Sequence, residues 1–324
     1  MKKIIALALA LIMVLSFAVV ASAETYEDMP TVTINKSYTN PNEGSSPAET
    51  FAFTHEKVSV TNAGEVNGKV VTVDTMPALV SVSAVKFAEG GAGSVKGAEV
   101  TLPEYEAVGI YEYKIKETAG DTAGVTYHSA DIKLVVTVIE QNGKVRVAAV
   151  HTETSGAKND TIVNVYESGT LAVSKEVTGN LGDREKEFDV TVTFTAPAGE
   201  KIKSKITYVE DGKTIEVANN KATIQLKHGE TIKFSNIPEG VTYTVEEADY
   251  TAEGYKAAVY AFSDSAKLVD GGVTGANDDT VTITNEKDVP VDTGIVMDSI
   301  PFVVMLVIAA AGLVAFTAKK RVQE

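Results

Sequence analysis

Alternating apolar and polar residues run through most of the chain between residues 31 and 286. A period of two places every second side chain on one face of an extended strand, so this pattern predicts β-strands with one buried face. It is clearest at residues 31–34, 133–139, 188–194 and 280–283. Polar turn pairs such as Asn142-Gly143 and Asp211-Gly212 separate the strands, and no long amphipathic helix is indicated among them. The pattern predicts an all-β sandwich architecture.

Three segments of the first half recur in the second half in the same order, which indicates an internal repeat. The matching pairs are 31–36 with 171–175, 109–117 with 240–247, and 159–164 with 278–285. The repeat predicts two copies of one sandwich domain, residues 24–167 and residues 168–289. Their join near Glu167 is short, and a short join predicts a stiff tandem rather than freely moving domains.

Each copy carries a lysine, a glutamate and an asparagine, in that order, on the apolar face of a predicted strand. Lys36, for example, shares its face with Val32 and Ile34. The two sets are Lys36, Glu117 and Asn164 in the first copy, and Lys175, Glu247 and Asn285 in the second. Any one of these residues alone would be interpreted as an exposed side chain at a strand end. The same set on apolar faces in both copies indicates burial at a common site.

Burial would give these side chains a specific chemistry. An unpaired buried charge costs on the order of several kcal/mol, and burial lowers the pKa of a lysine and raises that of a glutamate. A neutral lysine amine is a nucleophile, and a protonated glutamate polarises a carboxamide and transfers protons. The sequence therefore predicts a self-formed amide bond between the lysine and the asparagine of each copy, with Glu117 and Glu247 as proton shuttles. Each site would react once, with its own chain, so we do not expect an enzyme.

Residues 1–23 have the features of a secretory signal peptide. Two lysines precede a long apolar run, and Ala21-Ser22-Ala23 forms a small-residue cleavage site. Because polar residues follow at once, we expect cleavage between Ala23 and Glu24. The alternative is an uncleaved membrane anchor.

Residues 290–324 have the features of a sorting signal at the other end of the chain. The apolar run at residues 300–318 is long enough to form a transmembrane helix. The basic residues after it favour a very short cytoplasmic tail. A Thr-Gly pair, Thr293-Gly294, stands before the apolar run. This order of motif, span and basic tail indicates a substrate of a sortase.

The composition narrows the possible functions. A net charge of −15 argues against a nucleic-acid partner. An exported chain without cysteine has no disulfides, so a robust surface protein of this kind needs another covalent staple. The four histidines lack metal-ligand spacing and are interpreted as surface or turn residues, and residues 275–279 lack the spaced ligands of a calcium loop. We expect neither a cofactor nor a metal.

A recognisable set of motifs consists of Phe188 and four segments, which are residues 171–179, 243–247, 282–285 and 291–294. In these segments the chain resembles the Gram-positive, sortase-assembled backbone pilins of the streptococcal two-domain type. Its second half resembles the B-type domains of collagen adhesins. The resemblance implies two immunoglobulin-like domains with isopeptide bonds at the two triads, and sortase cleavage between Thr293 and Gly294. Pro290 and Val291 stand where the commonest sorting motif has leucine and proline, which leaves open whether a pilus-building or a housekeeping sortase acts.

The family also implies how subunits are joined. It places an acceptor lysine shortly before the last strand of the first domain, and Lys158 fits this place; a solvated loop lysine is the alternative. We therefore expect a pilus shaft subunit, exported to the cell wall, whose partners are a sortase, identical subunits and a peptidoglycan precursor. Any host ligand is unknown. The alternatives are a wall-anchored adhesin or minor pilin, and a surface enzyme, for which no nucleophile or metal motif is present.

Overall fold

The computed structural model describes residues 30–42, 44–263, 266–269, 272–275 and 278–289. Within these ranges the chain consists of strands and turns, with one short 3-10 helix at Thr251–Glu253. The all-β fold expected from the alternating pattern is therefore confirmed. No helix in this part of the chain is long and apolar enough to cross a membrane. The predicted signal peptide, 1–23, and the predicted sorting signal, 290–324, with its transmembrane span at 300–318, lie outside the described residues.

The first sandwich is built from two sheets and a small hairpin. Its strands are β1 (Thr31–Thr39), β2 (Glu49–Thr61), β3 (Glu65–Val66), β4 (Lys69–Val70), β5 (Ser81–Val82), β6 (Val85–Phe87), β7 (Ser94–Thr101), β8 (Gly109–Thr118), β9 (Val125–Thr126), β10 (Ile132–Gln141), β11 (Lys144–Thr154), β12 (Ala157–Lys158) and β13 (Thr161–Tyr166). One sheet has the order β5-β7-β1-β13-β9 and the other β12-β11-β10-β8-β2-β6, while β3 pairs with β4. Buried residues of both sheets, such as Ile34 and Tyr113, share one core.

The second sandwich repeats this plan. Its strands are β14 (Ser168–Thr178), β15 (Phe188–Thr195), β16 (Thr207–Glu210), β17 (Lys213–Glu216), β18 (Lys221–Leu226), β19 (Thr231–Pro238), β20 (Thr242–Glu247), β21 (Val259–Phe262), β22 (Lys267–Val269), β23 (Gly272–Gly275) and β24 (Asp279–Glu286). The sheet orders are β17-β16-β19-β14-β24-β21 and β18-β15-β20-β23-β22. A second hydrophobic core, which includes Val173 and Val245, lies between them.

The first and last strands of each sandwich are parallel neighbours. β1 pairs with β13, and β14 pairs with β24. Every other strand pair within the two sandwiches is antiparallel. A parallel pair cannot be joined by a tight hairpin, so the whole remaining domain forms the connection between its first and last strands.

The two sandwiches are joined by a short link and by packing. Only Glu167 separates β13 from β14. Ala123, in a loop of the first sandwich, is fully buried in the core of the second. Beside it, Thr122 forms a β-bridge with Lys201, whose Nζ lies 2.5 Å from Asp121 Oδ2. These contacts support the expectation of a stiff tandem.

Candidate crosslinking sites

The structure brings the three predicted side chains of the first domain together between its two sheets. Lys36 on β1 and Asn164 on β13 are fully buried, and Glu117 approaches them from β8 of the facing sheet with 3% exposure. Lys36 Nζ lies 2.5 Å from Glu117 Oε2. Asn164 Nδ2 donates a short hydrogen bond to Glu117 Oε1. One carboxylate therefore contacts both groups that the predicted amide bond would join.

The second domain assembles the same three residue types in a different contact pattern. Lys175 Nζ donates to Asn285 Oδ1 at 2.6 Å and lies 3.3 Å from Glu247 Oε1. It also donates to the main-chain carbonyls of Glu176 at 3.1 Å and Ile283 at 3.2 Å. The side chains of Lys175 and Glu247 are 0% and 1% exposed. The Glu247 carboxylate meets the lysine as an ion pair without well-directed hydrogen bonds.

An aromatic ring lies against each buried lysine. Lys36 Nζ is 4.5 Å from the centre of the Phe51 ring, and Lys175 Nζ is 4.4 Å from the centre of the Phe188 ring. A ring face attracts a cation, but it offers no hydrogen bond that would replace water around an ammonium group. The rings therefore exclude water from the lysine sites and can lie against either the charged or the neutral amine.

Burial shifts the proton affinities of these groups in opposite directions. Desolvation lowers the pKa of Lys36 and of Lys175, although the neighbouring glutamates partly oppose this shift. Desolvation raises the pKa of Glu247, partly opposed by the charge of Lys175. In the second domain both effects favour a neutral amine beside a protonated carboxyl group, which is the pair that acyl transfer to an asparagine needs.

Sequence reasoning missed the part that two histidines play beside the triads. The main-chain N–H of His128 donates to Asn164 Oδ1 at 2.8 Å. In the second domain, His228 Nδ1 accepts the main-chain N–H of Val177 at 3.0 Å. Neither contact was within reach of pattern analysis, because both join segments distant in sequence and each involves a main-chain group that carries no residue-type signal.

The second site also adjoins a surface cavity. Glu247 and Asn285 line this cavity together with Tyr250, Tyr260 and Leu268. The carboxyl group is therefore buried close to solvent rather than in the centre of the sandwich.

The remaining predicted site residues lie at the surface or outside the described residues. Lys158 is exposed, as expected, but it belongs to the short edge strand β12, where it pairs with Glu153 of β11, rather than to an open loop. The predicted signal cleavage site, Ala23 and Glu24, and the predicted sortase site, Thr293 and Gly294, are not among the described residues.

The similarity of the chain to known proteins agrees with the two buried triads. A protein named pilin from Streptococcus pyogenes serotype M1 is 30% identical over 310 residues, which cover 90% of this chain and 90% of that protein. The chain belongs to the pilin family. Residues 32–167 of this pilin match the Spy0128-like isopeptide containing domain, and residues 169–287 match a domain of unknown function (DUF7601). Each matched region contains one triad.

Solved structures support the same relationship. The crystal structure of the major pilin from Streptococcus pyogenes is 27% identical to this pilin and aligns with a TM-score of 0.58, covering 80% of this chain and 99% of that one. The pilus tip adhesin Cpa of Streptococcus pyogenes is 32% identical over 131 residues, but this stretch is 40% of the pilin and 18% of the adhesin. The likeness to the major pilin extends over most of both chains, whereas the likeness to the adhesin is partial.

Proposed function

We propose that this pilin is the shaft subunit of a covalent pilus and that each of its two domains, residues 24–167 and 168–289, closes a Lys–Asn isopeptide bond. The observation that carries the proposal is the pair of buried triads. Each triad brings a lysine of the first strand and an asparagine of the last strand of a sandwich to one glutamate. Near full-length similarity to a major pilin supports the choice of a shaft subunit.

The reaction needs no group from outside the chain. In the first domain a proton passes from Lys36 Nζ to Glu117, and the neutral amine attacks Asn164 Cγ. The C–N bond to Nζ forms, and Glu117 gives its proton to Nδ2, which departs as ammonia when its bond to Cγ breaks. The Glu117 carboxylate then takes the second proton that Nζ must lose to become an amide nitrogen. The product is a neutral amide. Proximity supplies the rate, since oriented groups reach effective molarities of about 10⁵–10⁸ M.

The same steps in the second domain join Lys175 to Asn285, with Glu247 as the proton shuttle. Its raised pKa suits a group that must hold a proton during the attack. The cavity beside Glu247 and Asn285 provides a route by which ammonia leaves.

The positions of the bonds suit a subunit under tension. Because each bond would join the first and last strands of a sandwich, force entering at one end of the domain would leave at the other without loading the strands between. The packed joint around Ala123 would pass the force from one domain to the next.

Subunits would be joined by a sortase after export. The signal peptide would be removed between Ala23 and Glu24, and the span at 300–318 would hold the chain in the membrane. The sortase would cleave between Thr293 and Gly294 and transfer Thr293 to Lys158 of an identical subunit, or to a peptidoglycan precursor in the final anchoring step. The exposed edge position of Lys158 is compatible with this role.

The second candidate function is a wall-anchored adhesin or a minor pilin built from the same domains. The partial similarity to the pilus tip adhesin Cpa favours it. The described residues are accounted for by the two sandwiches, and the matched region is a small part of that adhesin, so the shaft subunit is the better supported function.

The intact mass of recombinant residues 24–293 tests the proposed bonds. Two isopeptide bonds lower the mass by two ammonia molecules, about 17 Da each. We expect this deficit in the folded protein, and tryptic peptides that link β1 to β13 and β14 to β24. An unmodified mass would overturn the bonds and would favour the adhesin.

A further inference from the structure

The carboxamide of Asn164 is held from both sides. Its Nδ2 donates to Glu117 Oε1, and its Oδ1 accepts from the main-chain N–H of His128 at 2.8 Å. In a flipped carboxamide the NH2 group would face the His128 N–H, and the oxygen would face the Glu117 carboxylate. Donor would meet donor and acceptor would meet acceptor, so both neighbours select the observed orientation. The leaving nitrogen is therefore beside the proton carrier, and the carbonyl oxygen is beside a fixed donor.

The fold places this donor through an edge strand. Strand β9 pairs with β13 so that Thr126 is opposite Val165 and Val125 is opposite Tyr166. His128 follows β9 by two residues, alongside the segment that carries Asn164. Its N–H is directed at a side chain in the sandwich interior. The donor is thus positioned by sheet pairing, without a flexible side chain.

Amine attack on a carboxamide moves negative charge onto the carbonyl oxygen. A donor already aligned with that oxygen stabilises the charge without reorganisation, and removal of one such donor in other acyl-transfer sites slows the reaction by about 10²–10³-fold. We propose that the main-chain N–H of His128 is the oxyanion donor for the tetrahedral intermediate formed at Asn164. This inference rests on the proposed isopeptide chemistry and adds a catalytic group to it.

The imidazole of His128 has no part in this role. Burial lowers its pKa and so keeps the ring neutral, which avoids a second cation near Lys36. Replacement of the side chain should therefore leave the reaction intact as long as the N–H remains.

The second domain provides an internal control. There the carboxamide oxygen of Asn285 accepts a hydrogen bond from Lys175 Nζ at 2.6 Å. The His128 N–H therefore serves the first domain and takes no part in this contact. A change at the His128 N–H should slow crosslinking in the first domain and leave the rate in the second domain unchanged. Both rates are measured in the same molecule.

The test replaces the amide at position 128 by an ester, using the α-hydroxy acid analogue of histidine in the chain of residues 24–293. Chains are unfolded in urea before any crosslink forms, then diluted into buffer, and both crosslinked peptides are followed over time by mass spectrometry. His128→Ala, which keeps the N–H, is the matched control. The same ester in a Lys36→Met background, which cannot crosslink in the first domain, reports any effect on folding.

We expect the ester to slow the link between Lys36 and Asn164 by about 10²-fold, with His128→Ala and the second-domain link near the wild-type rate. Equal first-domain rates in the ester and the wild type would overturn the oxyanion role while leaving the isopeptide bonds established. A slow first-domain link accompanied by equally impaired folding in the Lys36→Met background would also overturn it. Absence of both links in the wild type would instead reject the proposed function itself.

Discussion

Lys175 and Asn285 lie two register positions apart on adjacent parallel strands, with Lys175 opposite Ile283 and Asn285 opposite Val177. The first domain repeats this offset between its lysine and its asparagine. Side chains two positions apart share a face of a sheet, so both members of each pair point into the core. Because the strands are parallel neighbours, a bond between them joins the beginning of the domain to its end.

This arrangement predicts the behaviour of the second domain under force. Asn285→Ala removes the electrophile, so pulling the ectodomain from its two ends should extend the second domain. Lys175 and Asn285 are 110 residues apart in sequence. At ~3.3–3.6 Å per residue the locked segment should release a contour length of about 370 Å. Single-molecule force spectroscopy measures this length directly.

Thr284→Ala is the control for the pulling experiment, because Thr284 precedes Asn285 on the same strand and its side chain lies on the opposite face. The wild type and Thr284→Ala should show no extension of the locked segment before the tether detaches. An extension of similar length in the wild type would contradict a covalent link between β14 and β24.

Glu247 should be required for the second crosslink. Glu247→Gln keeps the shape of the side chain but removes the group that accepts and returns a proton, so the mass deficit should fall from two ammonia molecules to one. In a chain-entropy treatment a link closing a loop of about 100 residues contributes about 4.7 kcal/mol. For a domain of this size, loss of the link should lower the unfolding temperature by about 15–20 °C.

Glu246→Gln is the matched control for this experiment, because Glu246 is the exposed neighbour on β20. It should retain both ammonia losses and the wild-type unfolding temperature. A full mass deficit in Glu247→Gln would show that the second bond forms without the proposed proton shuttle. The first-domain link, still present in both variants, reports that the chain has folded.

The rate of the second crosslink should have a bell-shaped pH dependence. Below the raised pKa of Glu247 both groups are protonated, and the lysine is then an ammonium ion rather than a nucleophile. Above the lowered pKa of Lys175 the amine is neutral, but the carboxylate has no proton to give. Between these limits proton transfer from Lys175 to Glu247 produces the reactive pair without exchange with solvent.

The rising and the falling limb of this pH–rate profile should therefore both lie between the ordinary pKa values, 4.5 for glutamate and 10.5 for lysine. Dilution of the unfolded, unreacted chain from urea into buffers across this range, with mass spectrometry over time, gives the profile. A rate that rises steadily to the alkaline end would show that only the neutral amine matters and that Glu247 is not an acid in the reaction.

The triads could be predicted because strand periodicity reports the face on which a side chain lies. Lys36 alternates with Ile34, and the observed burial of both follows from that spacing. The orientation of a carboxamide is different, because it depends on neighbours that only the folded chain brings close. Asn164 accepts from the His128 N–H, whereas Asn285 accepts from Lys175 Nζ. The sequences around the two asparagines are alike, so they do not reveal this difference.

The position of Lys158 shows a second limit of prediction from the sequence. Its polar, glycine-containing surroundings predict a turn, whereas backbone pairing with Glu153 turns the segment into an edge hairpin. Edge strands leave main-chain groups unpaired on one side, and an extended peptide from another protein can add to such an edge.

Lys158 should be the acceptor for polymerisation. Lys158→Arg keeps the positive charge but replaces the amine nucleophile by a guanidinium group that stays protonated, so transfer of Thr293 to the next subunit should stop. Lys144→Arg is the matched control, because Lys144 is also exposed and begins β11, whose other end pairs with β12. In cells that express the cognate sortase, the control should give a ladder of covalent polymers on denaturing gels, and Lys158→Arg should give monomer attached to the cell wall. A ladder in Lys158→Arg would move the linkage to another lysine while leaving the two internal bonds untouched.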